Sequence, residues 1–169
     1  MIQFISLSSG SNGNCYYLGN EQTALLIDVG IGGRTIKKRL EDNNLSISNV
    51  QMILVTHNHI DHIKYLGSVA DRLSVPVYAP SGIHQALEVH PCTKGTMNGC
   101  KRVIKKETFV QNRGVKFVAF DVPHDAVETV GYYIDFFGEK FVFMTDLGEV
   151  PEAAMEYCRM ADHLIIESN

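Results

Sequence analysis

Short apolar runs separated by turn-forming or polar segments set the rhythm of this chain, and the alternation within them predicts strands at residues 2–7, 16–18, 24–27, 52–55, 75–78, 115–120, 131–137, 141–145 and 163–167. Gly138-Glu139 joins 131–137 and 141–145 as a hairpin. Helical spacing is clear in Ile63, Leu66, Val69, Ala70 and Leu73, which predicts a helix over 63–72. Further helices are expected over about 35–42 and over 151–160. Strand, helix and strand between residues 52 and 78 imply a parallel crossover. Residues 91–111 carry the least regular pattern. No repeat, low-complexity segment or linker interrupts the chain, and 169 residues with 45% hydrophobic content read as a single domain spanning 1–169.

The apolar strand Met52-Ile53-Leu54-Val55 runs directly into Thr56-His57-Asn58-His59-Ile60-Asp61-His62, four metal-ligating side chains within six residues. His57 and His59, two apart on extended backbone, point to the same side, and Asp61 and His62 follow at the turn. One loop can therefore present two imidazoles to one metal, and a carboxylate with a third imidazole to a second. Imidazole and carboxylate suit zinc, iron or manganese, and the absence of cysteine argues against a thiolate-rich structural site. The plainer alternative, a polar surface loop, is disfavoured because imidazoles this close repel once protonated. Asp28, His124 in Asp121-Val122-Pro123-His124-Asp125-Ala126, and Asp146 also follow apolar strands. Asp28 could simply satisfy loop amides and Asp146 could cap a turn or helix. Their recurrence at strand ends favours one shared site, because strand ends along one sheet edge converge.

Other features are weaker. In Ser8-Ser9-Gly10-Ser11-Asn12-Gly13-Asn14, the Asn12-Gly13 pair signals a tight hairpin turn, while the same amides around Ser11 and Asn12 could form an anion-binding nest facing a substrate phosphate. Lys64 could contact a phosphate or stay solvated. His84 and His90 have no partner ligands nearby in sequence and read as structural or exposed. Lys101, Arg102, Lys105 and Lys106 around Val103-Ile104 form a solvated strand or turn face, or a guide for a polyanion. Cys15, Cys92, Cys100 and Cys158 show no Cys-x-x-Cys spacing and read as reduced bystanders. A net charge of -4 gives no broad basic footprint, although two divalent cations would add four positive charges at the site. No apolar run reaches membrane-spanning length and the N-terminus lacks a secretory signal, so no membrane partner and a cytoplasmic location are expected.

The loop His57-x-His59-x-Asp61-His62 resembles the signature of the metallo-β-lactamase superfamily, and Leu26-Ile27-Asp28-Val29-Gly30 resembles its first motif. Ser9 to Asn14, Pro123-His124-Asp125-Ala126 with Gly131-Tyr132, Thr145-Asp146-Leu147-Gly148 and Glu167-Ser168-Asn169 are similar to the YycJ-like branch of bacterial exonucleases and phosphodiesterases. The resemblance implies an α/β (α+β) class and a four-layer αββα sandwich. It implies metal one on His57, His59 and His124, metal two on Asp61, His62 and Asp146, a bridging Asp146, and Asp28 supporting the site by hydrogen bonding rather than ligation. Tyr65 stands where that family often has glycine. Members of the branch continue to a last histidine that completes metal two, so this chain is expected to be an incomplete sandwich that lacks its C-terminal part. Such a chain would hold metal two weakly and carry an uncovered sheet edge that invites homo-oligomer formation.

The reaction so implied is metal-dependent hydrolysis of phosphodiesters, with a DNA exonuclease-like nuclease and a nucleic acid substrate foremost. Two divalent ions, zinc, manganese or iron, about 3.5–4 Å apart would share a water, lower its pKa toward about 7 and hold the hydroxide for attack on phosphorus. Asp61 could orient that water. Alternatives are a β-lactamase or thioester-type hydrolase, from which Asp146 in place of cysteine departs, and a catalytically silent metal-binding regulator. An oxygen-reducing di-iron protein is disfavoured by His59.

Overall fold

In the computed structural model, which describes residues 1–123, 126 and 128–168, two β-sheets lie face to face with helices on their outer sides. The first sheet holds β1 (Gln3–Ser8), β2 (Cys15–Gly19), β3 (Ala24–Ile27), β4 (Val50–Leu54), β5 (Val77–Pro80) and β6 (Lys101–Ile104), neighbours in chain order. β1 to β3 form an antiparallel meander, and β3 to β6 are parallel. The second sheet runs β11 (His163–Ser168), β10 (Glu139–Leu147), β9 (Val130–Phe136), β8 (Val115–Asp121), β7 (Val110–Asn112). It is antiparallel except for β11, which pairs parallel with β10.

The two sheets differ in sequence because they differ in exposure. Every residue of β2, β3 and β5 is buried, as continuous apolar strands covered on both faces require. The second sheet alternates instead. Val115, Phe117, Ala119, Tyr132, Ile134, Phe136, Phe141 and Phe143 fill the core shared with the first sheet. Val118, Phe120, Tyr133, Val142 and Met144 turn to the other face, where α5 (Glu152–Met160) covers them through Ala154 and Tyr157. On the first sheet, α1 (Gly33–Glu41) buries Ile36 and Leu40, α3 (Leu66–Leu73) buries Leu66, Val69 and Ala70, and α4 (Ser81–Val89) buries Ile83 and Leu87. The αββα layering expected from the resemblance is therefore present, and the parallel crossover from β4 to β5 pairs Ile53 with Val77.

Several local expectations shift. The helix expected over 63–72 is two pieces, α2 (Ile60–Ile63) and α3, because the Tyr65 amide leaves the helix to donate to the Val29 carbonyl at 3.0 Å. The turn between β9 and β10 is centred on Phe137 and Gly138 rather than on Gly138-Glu139. Both residues have positive φ, +51° and +97°, the two-residue geometry that suits the twist of a hairpin. The irregular stretch before residue 111 hides β6 and β7, and α4 lies ahead of it. β6 exposes Arg102 and Val103, while Lys101 pairs with Glu88 at 3.2 Å and Lys106 with Asp121 and Glu128 at 2.7 and 2.9 Å. The basic group is thus the solvated strand face, partly neutralised by carboxylates. His84 is structural: its Nε2 contacts the Arg102 carbonyl at 3.0 Å from inside α4.

β11 lies at one side of the second sheet and exposes Leu164 and Ile166. The C-terminal ends of β3, β4 and β10 meet at one edge of the sandwich, where the loop after β4 emerges.

The packing between the sheets yields a direct expectation. Phe117→Ala, at a fully buried position between them, should lower unfolding free energy by about 3–5 kcal/mol. Val103→Ala on the exposed face of β6 should change it by less than about 0.5 kcal/mol. Denaturant unfolding that gives equal, small losses for both would contradict this assignment of the core.

Candidate metal centre

The loop after β4 is held by both sheets. From the first, the Val55 amide donates to the Tyr78 carbonyl at 3.1 Å; from the second, the Val130 amide donates to the Thr56 carbonyl at 2.9 Å and the Tyr132 hydroxyl to the Val55 carbonyl at 2.6 Å. Burial pushes the Tyr132 phenol well above its ordinary pKa, so it stays a donor. This pinning places His57 in full burial and His62 almost so. The His57 ring centroid lies 4.6 Å from that of the half-buried His59 and 4.1 Å from that of His62.

Asp28, fully buried at the end of β3, organises the imidazoles. One carboxylate oxygen accepts the Thr56 amide at 2.8 Å; the other accepts the Thr56 hydroxyl at 2.6 Å and His62 Nδ1 at 2.7 Å. The Thr56 hydroxyl has one proton and gives it to Asp28. Its 2.9 Å contact with His57 Nδ1 is therefore made by Nδ1–H donating to the hydroxyl oxygen. By accepting hydrogen bonds, directly from His62 and through the Thr56 hydroxyl from His57, one carboxylate keeps the proton of both rings on Nδ1 and leaves both Nε2 atoms with lone pairs facing the site.

Both Nε2 atoms converge on one oxygen. His57 Nε2 and His62 Nε2 lie 3.3 and 3.2 Å from Asp146 Oδ2, and His62 Nε2 lies 3.6 Å from Asp61 Oδ2. Donors about 2.0–2.2 Å from a tetrahedral ion stand about 3.3–3.6 Å from one another, so the spacing of each imidazole from Asp146 Oδ2 is that of two ligands of one cation, with Asp146 common to both pairs. Asp28, His57 and His62 also bring a ligand atom each within 4.8 Å of one another. Asp28, however, has both oxygens occupied by hydrogen bonds, which makes it the anchor of the ligands. Burial alone would lower the His62 pKa, but the carboxylates of Asp28, Asp61 and Asp146 outweigh it and raise it overall.

The two strand-end carboxylates share an unusual backbone. Asp28 and Asp146 have φ of +59° and +56°, a left-handed conformation that costs a non-glycine residue about 1–3 kcal/mol. Asp28 takes this conformation just past the end of β3, and Asp146 takes it at the irregularity in β10 between Met144 and Leu147; both carboxylates turn toward the histidine loop.

Asn14 is the residue that sequence reasoning missed. The hairpin turn expected at Asn12-Gly13 is a wider loop closed by the Gly13 amide on the Gly10 carbonyl at 3.0 Å, and the buried Asn14 follows it. Its side-chain Oδ1 accepts the Gly10 amide at 2.9 Å. Its Nδ2 shares two protons among the Gly10 carbonyl, Asp61 Oδ2 and His62 Nε2 at 3.2, 3.0 and 3.1 Å. Its backbone amide donates to the Asp61 carbonyl at 2.7 Å, and its carbonyl accepts Gly30 at 2.8 Å. The one signal for it in the sequence is a polar residue at the entry of a wholly apolar strand.

Gly10, Ser11, Asn14, Asp61, Asp146 and Glu167 line a cleft of about 150 Å³ beside these ligands. Glu167 accepts the Tyr16 hydroxyl, a phenol whose pKa burial and this bond push up. Ser11 thus reaches the cleft, whereas Asn12 and Lys64 are exposed and are not among its lining residues. Lys64 Nζ instead lies 5.6 Å from the centroid of the Tyr65 ring. His124 lies outside the described residues. Asp28, His57, His59, Asp61, His62 and Asp146 gather at one place.

The family model described as a beta-lactamase superfamily domain matches residues 23–169. The chain is 34% identical to the exodeoxyribonuclease YycJ of Bacillus anthracis over 169 residues, which are 99% of this chain and 63% of that protein. It is 31% identical to the exodeoxyribonuclease WalJ of Streptococcus pneumoniae over 168 residues, 99% of this chain and 62% of that protein. The chain therefore spans somewhat less than two thirds of the length of these curated relatives. Among solved structures, a Cronobacter sakazakii metallo-β-lactamase with a HARLDQ motif superposes with a TM-score of 0.71 at 13% identity, covering 98% of this chain and 76% of that one. At that identity the likeness is one of fold.

The crossing of three loops leaves no room at Gly30. A Cβ there would fall 1.8 Å from the Asp61 carbonyl oxygen and 2.5 Å from the Asn14 amide nitrogen, both backbone atoms. Gly30→Ala should therefore destabilise the fold by about 2–3 kcal/mol in denaturant unfolding. An unchanged midpoint would contradict the close crossing of these loops.

Proposed function

The chain belongs to the β-lactamase superfamily, and from that premise we propose that it is a metal-dependent phosphodiesterase acting on nucleic acid, with DNA exonuclease activity foremost. The observation that carries this reading is the convergence of His57 Nε2 and His62 Nε2 on Asp146 Oδ2, at 3.3 and 3.2 Å, with both imidazoles held in the ligating tautomer. His59 and Asp61 extend this donor group, and the resemblance assigns His124, which lies outside the described residues, to the same ligands. The names of the two exodeoxyribonuclease relatives support the choice of substrate. Asp146, a carboxylate where a thiolate would favour a single soft site, supports two neighbouring hard cations, zinc or manganese foremost and iron as the third choice.

Divalent ions at these ligands supply Lewis acidity for the phosphoryl oxygens and a water of lowered pKa. The chain supplies orientation. Asn14 Nδ2 holds Asp61 Oδ2 toward the cleft, which lets that carboxylate accept a proton from the attacking water or fix its direction. Gly10 and Ser11 line the same cleft as Asp61 and Asp146, where Ser11 offers a hydroxyl and an amide to phosphate oxygens. Asp28 and Thr56 stay out of contact with substrate and keep the two Nε2 lone pairs aimed.

Two measurements test this. With manganese added, the chain should hydrolyse an aryl phosphodiester, and His59→Ala should abolish that turnover while leaving the circular dichroism spectrum intact; retained turnover would sink the ligand assignment. Thr56→Val removes the proton given to Asp28 and the acceptor used by His57. It should weaken metal binding about 10–100-fold in a chelator competition. Unchanged affinity would show that the Asp28 relay does not set the ligands.

A further inference from the structure

A second cavity, of 280 Å³, opens between α1 and α3, away from the histidines. Arg34, Lys37 and Arg72 surround it, Ile47, Val69 and Leu73 form its apolar walls, and Gly33 stands among its lining residues. No acidic residue lines it. Lys37 has Glu41 at 3.7 Å with both side chains largely exposed, a weak contact. Arg34 and Arg72 form no ion pair among the described residues. In a chain of net charge -4, three cations over an apolar wall are a local reversal of sign. They suit a ligand that combines anionic oxygens with a flat apolar body.

The cavity is tied to the metal centre by one short segment. Gly30 packs against Asp61, and Gly33 lines the cavity three residues later, so the two are at most about 11 Å apart along the chain. At about 3.4 Å per nucleotide along a stacked strand, that is about three nucleotides. Tyr65 lies between them. Its amide is bonded to Val29, a Cβ on Gly32 would lie 3.7 Å from its ring, and the residue is 39% exposed with Lys64 beside the ring. An exposed aromatic ring followed by a cation-rimmed apolar pocket is the arrangement on which a single strand stacks a base and anchors its phosphates.

We propose that Tyr65 and the Arg34–Lys37–Arg72 cavity form a track that holds single-stranded nucleic acid a few nucleotides from the reacting phosphate. The proposal rests on the phosphodiesterase reading and gives that activity its grip on a strand.

The test is fluorescence anisotropy of labelled, phosphorothioate-linked thymidylate and uridylate 12-mers on the manganese-loaded chain, across a salt series. The Arg34→Ala/Arg72→Ala double variant should bind at least about tenfold more weakly than the original chain, with a log–log salt slope shallower by about 1.4, the value for two lost phosphate contacts on a single strand. Tyr65→Ala should weaken binding about fivefold or more with an unchanged slope. Lys116→Ala/Lys140→Ala removes the same charge from the second sheet and serves as the control. Equal losses in the two double variants, or an unchanged slope in the arginine variant, would overturn the track. Failure of the original chain to bind either 12-mer would overturn it as well. Turnover of a small aryl phosphodiester by the same preparation reports separately on the hydrolase reading.

Discussion

The hydrogen bonds of Asp28 are the constraint on which the site depends. A fully buried carboxylate is costly unless both oxygens are hydrogen-bonded, and here the Thr56 amide, the Thr56 hydroxyl and His62 Nδ1 engage them. Because the Thr56 hydroxyl spends its proton on Asp28, it can meet His57 only as an acceptor. The same group that satisfies a buried charge thereby selects the tautomer of two imidazoles on a different segment. That is how one strand end controls the chemistry presented by another.

The fold supports this arrangement by bringing loops from distant parts of the sequence into contact at backbone level. β3 and β4 are parallel neighbours, so Asp28 and Thr56 leave the first sheet side by side. β10 belongs to the second sheet and brings Asp146 from the opposite side of the sandwich core. The β1–β2 loop closes the remaining side, with Asn14 bonded to Asp61 and Gly30 at once. Left-handed backbone at Asp28 and Asp146 is tolerated because these contacts over-determine both turns. The stiffness of the site is therefore a property of the sandwich, and mutations well away from the ligands, in the inter-sheet core, should loosen it.

What the sequence disclosed follows from where physics is local. The central strands were legible because they are buried on both faces and read as unbroken apolar runs, and the strand-end recurrence of Asp28, His57, His59, Asp61, His62 and Asp146 pointed to one place. α4 and β6 were not legible. α4 follows β5 directly, with Pro80 at its N-cap and no side-chain cap, and buries a histidine beside Ile83 and Leu87, while β6 exposes a cation and a valine, so neither carries a clear local signal. The break between α2 and α3 depends on a tertiary hydrogen bond from Tyr65 to Val29, which no local pattern encodes. Asn14 was overshadowed by the adjacent Asn-Gly pair, whose hairpin signal drew attention to the wrong asparagine. The cation cavity escaped notice because Arg34, Lys37 and Arg72 are scattered in sequence and meet only once α1 and α3 pack side by side.

In the proposed metal centre Asp28 holds two imidazoles, His62 directly and His57 through Thr56, ready to ligate divalent cations that have Asp146 in common. The most direct test is elemental analysis of the purified chain beside an Asp28→Ala variant, before and after dialysis against a weak chelator. Close to two transition-metal ions per chain are expected, one of them readily removed, with a large loss of metal from the variant under the same dialysis. A chain that purifies without metal and takes up neither zinc nor manganese would contradict this centre, as would a variant that retains the full complement.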